Sequence, residues 1–297
     1  MKYISNEEIK NISITSKEIF DLADKTIRCK TNSILPPKTS MHFHDHDFFN
    51  VMPAIIPELN LSGVKCINRY ETNTPSLNGD IFLYDFKTGL LKSVIDAREI
   101  TTLRTAAVAV HSIKLLAKSD YKIVSFIGLG EIGKATLKIL VELNERPLTI
   151  RLFNYKDHAI KMKKLYEGTK NITFEIYDNY EDMVKDSDVV VSAITYAEKD
   201  FAPESVYKKG VLLVPIHTLG FQGCDLTFDK IFGDDYGHIK HFKYFNQFKS
   251  FNEVNEVLNG TCKGRENDDE RIIAYNIGIA LHDISLSNLF LEKFNKK

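Results

Sequence analysis

Apolar and polar positions along the chain follow two different rhythms. Ile19, Phe20, Ala23 and Ile27 recur at helical spacing behind Ile9, Ile12 and Ile14, so the first forty residues read as helical up to Pro36-Pro37. From Ser40 to Asp85 the runs Val51–Pro57, Ser62–Tyr70 and Asp80–Phe86 are short, apolar and divided by Pro, Asn and Gly. They predict a small antiparallel or mixed sheet, with a turn at Lys87-Thr88-Gly89 before Leu90–Ala97. Ala97–Asp120 is nearly all Ala, Val, Ile and Leu, which predicts a helix buried on most sides and capped by Thr101 or Thr102.

The second rhythm alternates strand and helix. Ile123–Ile127 is a compact apolar run, Gly128, Gly130 and Gly133 follow at once, and Ile132, Ala135, Ile139, Leu140 and Leu143 then recur helically. Further strands are expected at Leu148–Phe153, Ile172–Tyr177, Asp188–Ile194 and Val211–His217, with Lys230–Asp235 as a last strand. Asn252–Gly260 reads as a surface helix with a glycine stop and Glu270–Asn276 as a strand; Gly278 then opens a final helix that can return to the first domain. The fold class is α/β, with a doubly wound parallel sheet of Rossmann type from about Lys118 into the 270s.

Composition narrows the picture. A chain of 297 residues is long for one core, so two domains are expected. Net charge is −1, with no basic blocks, which argues against nucleic acid or an anionic membrane as partner. No run is long enough to span a bilayer and the N-terminal stretch is polar; Cys29, Cys66, Cys224 and Cys262 form no C-x-x-C pair. A cytoplasmic protein with reduced thiols is the expectation.

The glycine triplet carries the first chemistry. Strand, G-x-G-x-x-G and helix in this order predict a dinucleotide site, against the alternative of a ligand-free glycine turn. Gly128, Leu129, Gly130, Glu131, Ile132 and Gly133 would cradle the pyrophosphate at the helix N-terminus. Asn154 stands where NAD sites of this fold carry an acid, with Lys156 just beyond, so the cofactor is NAD or NADP with a lean to NADP. Arg104, expected in the first turn of its helix, is either a carboxylate clamp or the partner of Glu99 or Asp96. His42, His44 and His46 alternate as on one strand face, but a polar strand end is preferred and no metal is assigned.

Taken together, the residues resemble the ornithine cyclodeaminase/mu-crystallin family. The matching segments are Met52–Ala54, Gly63–Lys65, Leu83–Gly89, Ile100–Ala107, Ile127–Gly133 and Asn276–Asp283, in the family's order through most of the chain. The resemblance implies a Rossmann domain (118–278) and a discontinuous α+β substrate and dimerisation domain (1–117 with 279–297), hence a homodimer. It implies NAD(P)-dependent work on a small amino or imino acid, with Lys65 beside the reacting carbon and Arg104 on the substrate carboxylate. Lys38 stands where the family usually has a second carboxylate-binding arginine, keeping the charge but losing the two-pronged fork. Lys65 suits a proton relay at the substrate nitrogen if neighbouring cations depress its pKa.

Where ornithine cyclodeaminases carry an acid/base aspartate, ungapped alignment places Leu219, with His217 and Asp225 nearby. Three readings follow: a reductase or dehydrogenase of a small imino or amino acid, favoured by Leu219; a true ornithine cyclodeaminase, making proline and ammonia; and a catalytically idle, crystallin-like NADP(H)-binding protein, disfavoured by Lys65 and Arg104.

Overall fold

Period-two alternation builds the first sheet in the computed structural model, which describes residues 2–44 and 47–296. Its strands are β1 (Lys2–Ile4), β2 (Thr39–Phe43), β3 (Asp47–Ile56), β4 (Leu61–Arg69), β5 (Leu77–Asp85) and β6 (Leu91–Asp96), in the order β1-β6-β5-β4-β3-β2. β1 runs parallel to β6 and the other neighbours are antiparallel, so the sheet is mixed. Met52, Ala54 and Ile56 of β3, Leu61 and Ile67 of β4, and Ile81 and Leu83 of β5 are buried at alternate positions.

Four of the helices are α1 (Asn6–Lys10), α2 (Ser16–Arg28), α3 (Ala97–Leu116) and the C-terminal helix, Ala280–Asn295. That last helix lies against β3, β4 and β5, and α2 packs on it. α1 and α2 each open on a capping box, Ser5 with Glu8 and Thr15 with Glu18.

Three expectations change here. The N terminus is not helical from the start, since Lys2–Ile4 adds an edge strand. His42 and His44 do not share a strand face: His42 pairs across from Phe48 and His44 sits beyond the strand at φ 57, while His46 lies outside the described residues. α3 begins at Ala97, so the threonines are not its cap; Thr101 and Thr102 donate back to the carbonyls of Ala97 (2.6 Å) and Arg98 (3.1 Å). Asp96 serves the helix start instead, accepting from the Arg98 N–H at 2.9 Å and from its guanidinium at 2.7 Å. Arg104 is therefore two turns into the helix, away from its dipole end.

The second sheet is wholly parallel. It comprises β7 (Ile123–Ile127), β8 (Leu148–Phe153), β9 (Ile172–Tyr177), β10 (Val189–Ser192), β11 (Leu212–Pro215), β12 (Lys230–Gly233), β13 (Phe251–Glu253) and β14 (Ile272–Tyr275). Their order is β13-β12-β14-β11-β10-β7-β8-β9. The chain moves outward from β7 through α4 (Glu131–Glu142), β8, α5 (His158–Leu165) and β9, and α6 (Tyr180–Val184) then returns it to β10 on the other side of β7. Right-handed crossovers in opposite directions wind the sheet doubly and leave a switch point between β7 and β10. β10, β11 and β14 are buried along their whole length, as strands covered on both faces must be.

Lys230–Gly233 is not the last strand. β14 inserts between β11 and β12, while the short β13 edges the sheet before α8 (Val254–Leu258), and α7 (Tyr236–Ile239) follows β12. The C-terminal helix is thus α9.

The chain divides into two compact units, Met1–Arg104 with Gly278–Lys297, and Thr105–Ile277. The first boundary falls inside α3 rather than after it. Among the described residues no helix is long and apolar enough to cross a membrane.

Asp188 ties the amino ends of β7 and β10. It accepts from the N–H groups of Lys122 (2.8 Å) and Ile123 (2.9 Å) and pairs with Lys208 at 2.7 Å. Burial pushes its pKa up, but Lys208 and the two amides outweigh that and hold it below the ordinary value. Asp188→Ala is expected to destabilise the protein by about 2–4 kcal/mol in urea unfolding. The contribution should be present above about pH 4 and fade as pH falls through the lower folded value.

Candidate functional site

Strand period and helix approach together build a buried ionic cluster in the first unit. Lys65 shares the inward face of β4 with Leu61 and Ile67 and is only 1% exposed. Gly63, on that same face, has Ile284 of α9 above it; a Cβ there would stand 2.5 Å from Ile284 Cδ1 and 2.7 Å from the Phe82 carbonyl. The glycine lets α9 come close enough for Asp283, fully buried, to accept from Lys65 Nζ at 2.8 Å. The same oxygen, Oδ1, accepts from Arg104 Nε at 3.0 Å. Asp283 Oδ2 is buried without a hydrogen-bond partner among the described residues.

Arg104 thus finds a partner in Asp283, which proximity in sequence does not suggest; Asp96, one of the two nearby candidates, is engaged by Arg98. Its Nε faces Asp283, and its terminal nitrogens lie beside Gly278, where a Cβ would come within 2.5 Å of Nη1 and 2.8 Å of Nη2. Gly278 also has φ +93, so a side chain is disfavoured there twice over.

The electrostatics follow from burial. Lys65 is lowered to about 8, mainly by loss of water; Asp283 opposes that shift, while Arg104 and Lys38 add to it. The expected contribution of neighbouring cations is real but secondary. Burial pushes Asp283 upward, yet Arg104 and Lys65 hold it below the usual carboxylate range. Lys38 is half-buried, and its charge is felt at Lys65. One carboxylate faces two buried cations with a third nearby, a set that favours a further anion.

Asp283 lies in the family-like segment Asn276–Asp283 but is not among the candidate residues that the sequence reading singles out. A signal existed: an acid in the middle of IALHDISLSNLF, flanked by Leu281, Ile284 and Leu286 on a helix with few charges, calls for a buried cation.

In the second unit the glycine loop closes β7 at the switch point. Gly128 has φ +90, and a Cβ on it would meet Ile194 Cγ2 at 2.6 Å and the Ala193 carbonyl at 2.8 Å. A Cβ on Gly133 would strike the Gly128 carbonyl. Around Gly130 a Cβ would meet nothing within 4 Å, so protein packing does not require glycine there, and the space is left for a close-approaching ligand. Gly130 is the N-cap of α4 and gives no side-chain cap bond, leaving the first N–H groups of the helix for an anion. These residues fit a dinucleotide pyrophosphate. Leu129 is buried and Glu131 exposed, and the buried stripe of α4 runs through Gly133, Leu137, Leu140 and Val141 rather than Ile132 and Ala135. Asn154 directly follows β8, and Lys156 has φ +54.

A family model described as the ornithine cyclodeaminase/mu-crystallin family matches residues 8–297. The chain belongs to this family. It is 25% identical over 305 residues to the nodulation efficiency protein NfeD of Rhizobium meliloti, covering 98% of this chain and 95% of that one. To the N-((2S)-2-amino-2-carboxyethyl)-L-glutamate dehydrogenase of Staphylococcus aureus it is 26% identical over 264 residues, 82% and 77% of the two chains. Among solved structures, an archaeal alanine dehydrogenase dimer with bound NAD superposes with TM-score 0.88 over 100% of this chain and 96% of that one, at 22% identity.

Leu219, which ungapped reading sets against the cyclodeaminase aspartate, donates its N–H to His217 Nδ1 at 3.1 Å. That contact leaves the neutral ring's proton on Nε2, facing Ser192 Oγ at 2.6 Å. Burial lowers His217 to about 4, so it is neutral at pH 7. Asp225 is buried in the aromatic core of this unit, accepts from Tyr275 Oη at 2.7 Å and is raised to about 7 by burial. Neither residue stands in for the aspartate simply.

Removing Asp283 leaves Lys65 and Arg104 buried without their shared partner. Asp283→Ala is expected to lower stability by about 3–5 kcal/mol, measured by urea unfolding at pH 7.

Proposed function

We propose that this family member is a nicotinamide-dependent oxidoreductase that transfers hydride between its cofactor and the α-carbon of a small amino or imino acid. The observation that carries the reading is the buried set of Lys65, Arg104 and Asp283, cationic overall and containing a lysine that titrates near pH 8. The dehydrogenase activities in the names of its relatives support it.

A bound nicotinamide would supply the hydride donor or acceptor. Gly128 to Gly133 would hold the pyrophosphate, and Asn154 and Lys156 would lie toward the adenosine ribose. With Nε on Asp283, Arg104 would offer its terminal nitrogens to the substrate carboxylate, Lys38 adding charge at one point only. Lys65 would hold or release the proton at the substrate nitrogen. In oxidation, neutral Lys65 takes a proton from the amine as hydride leaves the α-carbon, forming an imine. In reduction, protonated Lys65 gives a proton to nitrogen as hydride arrives at carbon.

Leu219 supplies no acid or base for the additional steps of cyclodeamination, attack by a side-chain amine and loss of ammonia. This favours simple hydride transfer. A homodimer and a cytoplasmic setting for the four free cysteines belong to the same reading.

The decisive assay follows oxidation of reduced cofactor with cyclic and acyclic imino acids. Stoichiometric proline and ammonia from L-ornithine, with no net cofactor reduction, would overturn the reading in favour of a cyclodeaminase. Cofactor binding without turnover of any amino or imino acid would point to an idle protein. Lys65→Ala and Arg104→Ala are expected to lower turnover at least about 100-fold while sparing cofactor binding, as read by nucleotide fluorescence. Reduction should slow as pH rises through about 8 while oxidation speeds up, because the two directions need opposite charge states of Lys65. Profiles of kcat/KM in both directions check that sign.

A further inference from the structure

We infer that Asp178, acting through Asn154, makes the dinucleotide site select a free ribose 2′-hydroxyl over a 2′-phosphate, so that the cofactor is NAD(H). The inference rests on the dinucleotide reading above and reverses the lean suggested by Asn154 alone.

β7, β8 and β9 are neighbouring parallel strands, so their carboxyl ends lie on one edge. The glycine loop follows β7, Asn154 follows β8 and Asp178 follows β9. At about 4.8 Å per strand, Asp178 lies roughly two strand spacings across from the end of β7. The Asn154 N–H donates to the Tyr177 carbonyl at 2.7 Å, extending the β8–β9 ladder and fixing both residues at the backbone.

Asn154 Nδ2 then donates to Asp178 Oδ1 at 2.7 Å. An ionised carboxylate only accepts, so the amide orientation is determined: nitrogen toward Asp178, oxygen away from it. Asn154 Oδ1 is buried and has no hydrogen-bond partner among the described residues. An acceptor left in that state calls for a donor.

The edge therefore presents the Asp178 carboxylate, held from one side by the Asn154 amide nitrogen. A ribose hydroxyl can donate to that carboxylate. A 2′-phosphate dianion has no proton to give and is repelled by Asp178. Lys156 is the opposing charge; both side chains are exposed, but Lys156 is on a flexible stem with Nζ 5.2 Å from the Tyr155 ring centre. Asp178 is the charge held in place by a side-chain bond to the ribose-end residue. The missing carboxylate at position 154 is thus supplied from the next strand, 24 positions along the chain.

The test is fluorescence titration of the intact protein with NADH and NADPH, which needs no substrate. The wild type is expected to bind NADH at least tenfold more tightly, and Asp178→Asn, which removes charge but little volume, to reduce that ratio at least fivefold. Should the variant not fold, the wild-type ratio itself should shrink as salt is raised, since charge repulsion is screened. Equal or tighter binding of NADPH by the wild type would overturn the inference while leaving the dinucleotide site intact. So would a ratio unmoved by both Asp178→Asn and salt. Failure of the folded wild type to bind either nucleotide would bring down the dinucleotide reading and this inference together.

Discussion

The carboxylate of Asp283, shut away from water with Lys65 and Arg104 on one of its oxygens, is the constraint around which the first unit is arranged. Burying three charges is expensive, and an apolar trio of similar volume would make a core at least as stable. Their presence is better understood as specification. Lys65 must lie on the inward face of β4, α9 must come close over Gly63, and α3 must present Arg104 beside Gly278. Each demand restricts the others. A cluster with more cation than anion favours a further anion, and its lysine, poorly supported by water, gives up its proton more readily than an exposed one.

The second unit reaches its site by backbone geometry rather than charge. Its three loop glycines answer three separate requirements: left-handed backbone against the end of β10 at Gly128, open space at Gly130, and contact between helix and loop at Gly133. The parallel order places the loop at the switch point and aligns the ends of β8 and β9 beside it. Side chains enter only at that edge, where Asn154 and Asp178 meet.

Reading from sequence succeeded where chemistry is local. The G-x-G-x-x-G after an apolar run, the strands Leu148–Phe153 and Ile172–Tyr177, and the placing of Gly63 and Lys65 on one face of a single strand are all visible in a short window. It went astray where short segments depend on distant neighbours. Lys2–Ile4 and Phe251–Glu253 are three-residue edge strands whose partners, not their composition, make them strands. The start of α3 was misplaced because threonine is a good cap, whereas here Asp96 takes the helix start and Thr101 bonds back a turn.

What the sequence by itself determined is the α/β class, the parallel alternation, the glycine-rich turn from strand to helix and the family. These follow from periodicity and from short motifs whose physics is contained within a few residues. Tertiary structure decided the partner of Arg104, the insertion of β14 ahead of β12, and the company of Asn154. Lys65 and Asp283 are 218 positions apart, and Asn154 meets Asp178 only because parallel pairing brings two strand ends side by side. A buried charge announces that it needs a partner; only the packing of the chain supplies which one.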